Sequence, residues 1–230
     1  MSSLIEEAKE KAASEALRYL YDAEIIGIGT GSTVEKLIAK MGSEKDVFSN
    51  KTFIASSYDT LIKLQNLGLK VISTEFLTEK PDAYVDGADE VTRNLEMIKG
   101  RGGALLREKI LAYFSKKRIY IVDYTKIVNV LGEKKPLPVE VMPYALGWVF
   151  NELVREGLNP KIRICGKGKD GPVITDSGNV IIDLYVKIRD PESLERELKK
   201  IPGIVETGLF INLADMVIVG YPDRVDVISR

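Results

Sequence analysis

One pattern constrains this chain more than any other. From residue 24 to residue 126, short apolar runs end repeatedly in clusters of glycine, serine, threonine or aspartate, and helical stretches follow most of them. Glu24 to Ile28 reads as a strand and leads into Gly29-Thr30-Gly31-Ser32, then a helix from Thr33 to Met41 whose start carries the capping-box spacing Ser32-x-x-Glu35. Strand Thr52 to Ala55, turn Ser56-Ser57, a helix from Tyr58 to Leu67 closed by Gly68, and strand Lys70 to Ser73 repeat the unit. Ala83 to Val85 runs into Asp86-Gly87-Ala88-Asp89-Glu90, and Leu95 to Ile98 precedes Lys99-Gly100-Arg101-Gly102-Gly103 and a helix from Ala104 to Phe114. Arg118 to Val122 ends at Asp123-Tyr124-Thr125-Lys126. Such alternation predicts a parallel sheet with helices on both faces. Ligands bind outside the carboxyl ends of the strands in sheets of this kind, so the polar clusters are expected to converge on one crevice.

The pattern changes at Gly132. A Lys-Lys-Pro-Leu-Pro stretch reads as a linker or an entering edge strand. Strand Val139 to Met142, helix Tyr144 to Glu156, strands Lys161 to Cys165 and Val180 to Val186, helix Pro191 to Lys200 and strand Ile204 to Ile211 then give the order βαββαβ. Pro160, the loop from Lys167 to Gly171 and the turn Asp176-Ser177-Gly178-Asn179 supply its corners. Met216 to Gly220 reads as a strand returning to the first sheet. The expected fold class is therefore α/β, a Rossmann-like sheet formed by residues 1–131 and 212–230, with an inserted ferredoxin-like α+β domain over residues 132–211.

Composition enters through what it removes. The chain has no histidine, which excludes Ser-His-Asp and Cys-His catalysis, the zinc-protease motif and imidazole metal ligands. Carboxylates and lysines must do any acid–base work. The lone Cys165 allows no intrachain disulfide. A net charge of −1 gives no global field for nucleic acid or an anionic membrane. No apolar run approaches the roughly 18 residues of a membrane span, and the first twenty residues mix charge with alanine where a signal peptide has an apolar block. These features predict a soluble cytoplasmic protein without nucleic-acid or membrane partners.

Several residues stand out as candidates for chemistry. The loop Gly27-Ile28-Gly29-Thr30-Gly31-Ser32-Thr33 fails as a dinucleotide fingerprint, because Ser32 stands where glycine or alanine is needed, and no Gly-Lys-Ser/Thr follows for a P-loop. A glycine turn opening a helix remains, with free amides and hydroxyls that suit a phosphate monoester or serve an ordinary N-cap. Crowded carboxylates in Asp86-Gly87-Ala88-Asp89-Glu90 need a cation, a metal, sugar hydroxyls or plain solvation. Lys99-Gly100-Arg101-Gly102-Gly103 sets two cations beside three glycines before a helix, either as a donor turn or as a solvated loop. Glu108 lies in the apolar arc of a helix that is apolar nearly all round, which marks it as a desolvated base or half of a structural ion pair. Lys9 falls within the apolar arc of the first helix, Leu4 to Leu20, so its ammonium must snorkel outward or meet an anion.

Gly29-Thr30-Gly31-Ser32-Thr33, Ser57-Tyr58-Asp59-Thr60, Asp86-Gly87-Ala88-Asp89-Glu90, Lys99-Gly100-Arg101-Gly102-Gly103-Ala104, Arg107-Glu108-Lys109-Ile110, Pro138-Val139-Glu140-Val141 and Gly178-Asn179-x-Ile181-Ile182-Asp183 together resemble the type A ribose-5-phosphate isomerases. The resemblance runs in order over nearly the whole chain. It implies a homodimeric or homotetrameric enzyme of the pentose phosphate pathway that interconverts ribose 5-phosphate and ribulose 5-phosphate without metal or organic cofactor. It implies Glu108 as the base, with Asp86 and Lys99 assisting. It further implies substrate contacts at Lys9, Thr30, Gly31, Ser32, Thr33, Asp86, Gly87, Ala88, Asp89, Lys99, Gly100, Arg101, Gly102 and Lys126. Arg101 departs from the glycine that many members carry, and its side chain either narrows the pocket or points to solvent. Coenzyme A transfer or aminosugar-phosphate deamination on a related sheet, and a sugar-phosphate-sensing regulator without chemistry, are the competing readings.

Overall fold

The computed structural model describes residues 2–75, 77–166 and 168–230; Lys167, where one expected corner loop begins, lies outside them. In chain order the elements are α1 (Ser2–Leu17), β1 (Ile25–Ile28), α2 (Ser32–Ser43), α3 (Lys45–Phe48), β2 (Thr52–Ala55), α4 (Tyr58–Asn66) and β3 (Lys70–Val71). Next come β4 (Ala83–Asp86), β5 (Glu90–Val91), β6 (Met97–Ile98), α5 (Leu105–Phe114) and β7 (Arg118–Asp123). The remainder is β8 (Leu137–Val141), α6 (Leu146–Arg155), β9 (Pro160–Ile162), β10 (Val180–Leu184), α7 (Pro191–Leu198), β11 (Ile204–Thr207), β12 (Leu209–Phe210), β13 (Met216–Gly220) and β14 (Val225–Ser229). The chain divides into two compact units. The first takes the residues up to Ala88 with Arg107–Lys126 and Leu213–Arg230, and the second takes Asp89–Leu106 and Ile127–Asn212.

The first unit is built on a seven-stranded sheet in the order β14-β13-β7-β4-β1-β2-β3, parallel except for the edge strand β14. Successive residues of β4, β7 and β13 are buried almost without exception, and because neighbours in a strand point to opposite faces, both faces of the sheet are covered. Ile26, Ile28, Phe53, Val85, Ile119 and Ile121 meet Ala12, Ala16, Leu37 and Met41 in the core. The small residues of α1 bring that helix close to the sheet: a Cβ on Gly220 would lie 1.8 Å from the Ala8 carbonyl oxygen. The helix ends at Leu17, short of the expected Leu20, yet Leu20 is fully buried. From β1 the strand order runs one way through β2 and β3 and the other way through β4, β7 and β13, so the switch point lies between β1 and β4.

One local expectation is corrected here. Ser32 does not cap α2; it is the first helical residue, and Gly31 is the N-cap with φ 136° and no side-chain cap bond. The sharp exit from β1 needs a positive φ that glycine supplies at no steric cost, so the hydroxyl loses the capping position. Glu35 pairs instead with Lys63 at 2.5 Å.

The second unit holds a four-stranded antiparallel sheet in the order β11-β8-β10-β9, the spatial order of the βαββαβ pattern, with Val139, Val141, Ile182 and Leu184 packed against Val149, Leu153 and Leu198 of α6 and α7. Its second sheet, β12-β6-β5, corrects two expectations. The run Leu95 to Ile98 is no member of the parallel sheet: Leu95 turns with φ 62°, and only Met97–Ile98 pair, antiparallel, with β5 and β12. The run Ile204 to Ile211 breaks at Gly208, where a Cβ would sit 2.2 Å from the Lys99 carbonyl oxygen, and the chain passes from one sheet to the other. Leu137 and Pro138 belong to β8, an inner strand and not an edge. The Pro138 carbonyl faces Gly208, just beyond the end of β11, so the missing proline N–H removes no ladder bond on that side.

Candidate active site

In the first unit β1 and β4 run parallel with Gly27 opposite Tyr84. Residues two apart in a strand share a face, so Tyr84 and Asp86 stand against Gly27 and Gly29. A Cβ on Gly27 would come 3.0 Å from the Tyr84 ring, and one on Gly29 would come 1.9 Å from the Asp86 carboxyl carbon. The two glycines make room for a buried phenol and a buried carboxylate of the neighbouring strand. Asp86 is fully buried; its Oδ1 accepts from the backbone N–H of Thr30 at 3.0 Å and of Gly87 at 2.7 Å, and its Oδ2 accepts from the Tyr84 hydroxyl. One carboxylate thereby ties the loop after β1 to the loop after β4.

The Thr30 hydroxyl donates to Ser57 Oγ at 2.7 Å and lies 2.9 Å from Ser56 Oγ, while the Thr60 hydroxyl donates to the Gly29 carbonyl at 2.7 Å. Ser57 also caps α4, accepting the Thr60 N–H at 3.1 Å. These hydroxyls hold the Gly29–Gly31 backbone against the turn after β2. No side chain caps α2, and half-buried Ser32 and mostly buried Thr33 stand in its first turn, where backbone amides are the kind of donor that suits an anion.

Glu108 sits in the first turn of α5 with 3% exposure, so the buried position expected from the helical arc is observed. Tyr84 and Tyr120, both fully buried with ring centroids 6.2 Å apart, share its surroundings. Burial first, and then the negative charges of Asp86 and Glu108, push both phenols well above the usual tyrosine range. Two carboxylates therefore act on two neutral phenols in a dry part of the unit. Arg107, next to Glu108 in sequence, lies over the Tyr58 ring at 4.8 Å. Lys126 ends the turn after β7, half-buried. Lys9 meets an anion, Glu6, at 2.7 Å, and Lys9 and Lys36 hold the Glu6 carboxyl below its usual range.

The second unit gathers the other candidates. Asp89 donates its backbone N–H to the Ile98 carbonyl, and its Oδ2 accepts the Arg101 N–H at 2.9 Å. Lys99 is 2% exposed, with its ammonium 5.3 Å from the centroid of the Phe210 ring. Gly100 has φ 107°, and a Cβ there would sit 2.8 Å from Leu105. The Arg101 side chain is 70% exposed and approaches Asp89 Oδ1 only to 3.8 Å, so it points to solvent. Thr30 to Thr33, Asp86 to Ala88 and Lys126 thus follow parallel strands at one edge of one sheet, whereas Asp89 and Lys99 to Gly102 are gathered by the small antiparallel sheet.

A family model described as ribose 5-phosphate isomerase A, or phosphoriboisomerase A, matches residues 52–224. The chain belongs to the ribose 5-phosphate isomerase A family. Ribose-5-phosphate isomerase A of Korarchaeum cryptofilum is 42% identical over 230 residues, 99% of each chain. That of Pyrococcus abyssi is 42% identical over 229 residues, covering 98% of this chain and 99% of its own. Among solved structures, a D-ribose-5-phosphate isomerase in complex with phospho-erythronic acid matches with a TM-score of 0.93 at 41% identity, over 98% of this chain and 99% of that one. Ribose 5-phosphate isomerase A from Methanocaldococcus jannaschii matches with a TM-score of 0.91 at 37% identity, over the same shares.

Within this isomerase A fold, several supporting residues escaped the sequence reading. Tyr84 was legible as the residue two before Asp86 on the same strand face. Glu90, grouped with the acidic cluster, is fully buried and accepts the backbone N–H groups of Gly132, Lys134 and Lys135 at 2.5–2.6 Å. Those three backbone donors answer its charge. A groove of about 930 Å³ between α6 and α7, lined by Trp148, Leu194 and Leu198 among others, holds none of the candidate residues. Among the described residues no helix is long and apolar enough to cross a membrane.

Proposed function

We propose that this chain interconverts D-ribose 5-phosphate and D-ribulose 5-phosphate by moving one proton between neighbouring carbons. The observation that carries this reading is Glu108, a carboxylate with 3% exposure whose charge acts on the same two buried phenols as Asp86. A carboxylate removed from water is a stronger base, and proximity to a fixed substrate makes it effective. The substrate phosphate sits on the amides and hydroxyls of Ser32 and Thr33 at the start of α2, with Thr30 and Gly31 shaping the loop and Lys9 adding charge. Asp86 assists ring opening, with Gly87 and Ala88 lining its loop, and Asp89 holds sugar hydroxyls.

In the open aldose, Glu108 removes the C2 proton as the C1 carbonyl becomes an enediolate oxygen, then returns the proton to C1 as C2 becomes the ketone. The hydroxyl proton passes from O2 to O1, so the sum is an isomerisation with no redox partner. Lys99 and the amides of Gly100 and Gly102 stabilise the enediolate oxygen, Arg101 keeps its N–H on Asp89 within the same turn, and Lys126 contacts the sugar. A single base serves both carbons.

The proposed setting is the cytoplasm, consistent with the single cysteine and a phosphorylated sugar substrate. The proposed assembly is a homodimer or homotetramer, a reading supported by exposed Tyr58, Ile62, Ile110, Tyr113 and Phe114 on α4 and α5. Ketose formation from ribose 5-phosphate, followed with a chelator present, tests the activity. Turnover is expected. A protein that binds the sugar phosphate without turnover, or that acts on acyl-CoA or an aminosugar phosphate instead, contradicts the reading.

A further inference from the structure

Arg163, just past β9, makes four hydrogen bonds through its guanidinium. Nε donates to Asp183 Oδ2 at 2.8 Å and Nη2 to Asp183 Oδ1, a forked pair in which both side chains are mostly buried. Nη1 donates to the carbonyl of Gly100 at 2.8 Å and to the carbonyl of Arg101 at 2.9 Å. The guanidinium thus holds two consecutive carbonyls of the turn that follows Lys99. Asp183, within β10, fixes the guanidinium from its other side.

The planar trans peptide makes this grip directional, because a carbonyl and the N–H of the next residue point opposite ways. With the Gly100 carbonyl on Arg163, the Arg101 N–H must point away, and it does so, donating to Asp89 Oδ2 at 2.9 Å. With the Arg101 carbonyl also on Arg163, the Gly102 N–H points away as well, and Gly102 is exposed. Two amides are thereby aimed from one anchored side chain. A donor stabilises developing charge in proportion to how well it is placed before the charge appears, and a guanidinium fork places backbone more rigidly than a lone ammonium can.

We propose that Arg163, locked by Asp183, is a positioning residue that orients the Gly102 amide and the Arg101–Asp89 link toward the enediolate. This inference rests on the isomerase reading above. Asp183 belongs to the Gly178-to-Asp183 segment, which no step of the reaction otherwise uses.

The test compares wild type with Arg163→Ala, Arg163→Lys and Asp183→Asn, measuring ribose 5-phosphate turnover, thermal unfolding, and inhibition by phospho-erythronic acid, whose planar carboxylate resembles an enediolate. Arg163→Ala is expected to lower kcat about 10- to 100-fold while KM moves less than about threefold. Inhibition should weaken in step with kcat, and added guanidinium ion, well below denaturing concentration, should restore part of the lost turnover. Should the alanine variant not fold, Arg163→Lys keeps the charge without the fork and is expected to lose about tenfold in kcat. Asp183→Asn should share the loss at smaller size. Wild type that produces no ketose overturns both readings. An active wild type whose Arg163 variants melt earlier but keep kcat and inhibitor affinity overturns this one alone.

Discussion

In the first unit the buried carboxylate Asp86 takes hydrogen bonds from a phenol and two backbone amides, and Glu108 lies within the field of the same phenols. In the second unit Asp183 is bound to a guanidinium, and Glu90 is wrapped by three amides of one loop. The difference separates two uses of buried charge. Forked and triple-amide pairings make a carboxylate a fixed point from which backbone is hung. Asp86 instead joins two loops of one sheet, through a phenol and two backbone amides.

The sharpest way to break the first arrangement is Gly29→Ala. Its Cβ would fall on the Asp86 carboxyl, and overpacking of this kind costs about 1–3 kcal/mol or more. Urea unfolding should show that loss together with a fall in turnover; an unchanged enzyme would mean that Asp86 is not held as described. Tyr84→Phe deletes one donor to a buried carboxylate, with an expected cost of about 1–3 kcal/mol and a lower kcat. Equal activity in this variant would remove the phenols from the account of the base.

The second unit should respond differently. Glu90→Gln weakens the clamp on residues 132–135, so about 1–2 kcal/mol of stability should go, with kcat falling less than in Tyr84→Phe. The smallest effect is a pH effect at Glu140. Burial raises its carboxyl above the usual range despite bonds from Thr175 and Asn179. A folded-state pKa above the unfolded one means that the native state binds the proton more tightly, so this group favours folding below its unfolded value near 4.5 and loses that contribution as pH rises through its folded value. The stability of Glu140→Gln should therefore fall less with rising pH across that window than that of wild type; parallel curves would contradict the sign.

Legibility in the sequence followed the same division. In the first unit, runs such as Thr52–Ala55 and Arg118–Asp123 were long enough to show strand character, and the polar clusters at their ends landed on one sheet edge. Glu108 was readable as buried because a helix repeats every 3.6 residues and its arc was apolar. Two-residue strands such as β5, β6 and β12 carry no period, which is why the surroundings of Asp89 and Lys99 were misplaced into the parallel alternation. The clamp of Glu90 spans 42 to 45 residues and the grip of Arg163 on Gly100 spans 63, and no local pattern encodes pairings at such separations. Ser32 was misread for another reason: its spacing to Glu35 fitted a cap, but backbone geometry at Gly31 decided the position.

The most direct measurement is single-turnover kinetics of Glu108→Gln beside binding of phospho-erythronic acid. General acid–base catalysis contributes about 10²- to 10⁴-fold, so the variant should lose about 10³-fold in rate while still binding that acid. Near-normal turnover from glutamine at that position would show that some other group moves the proton.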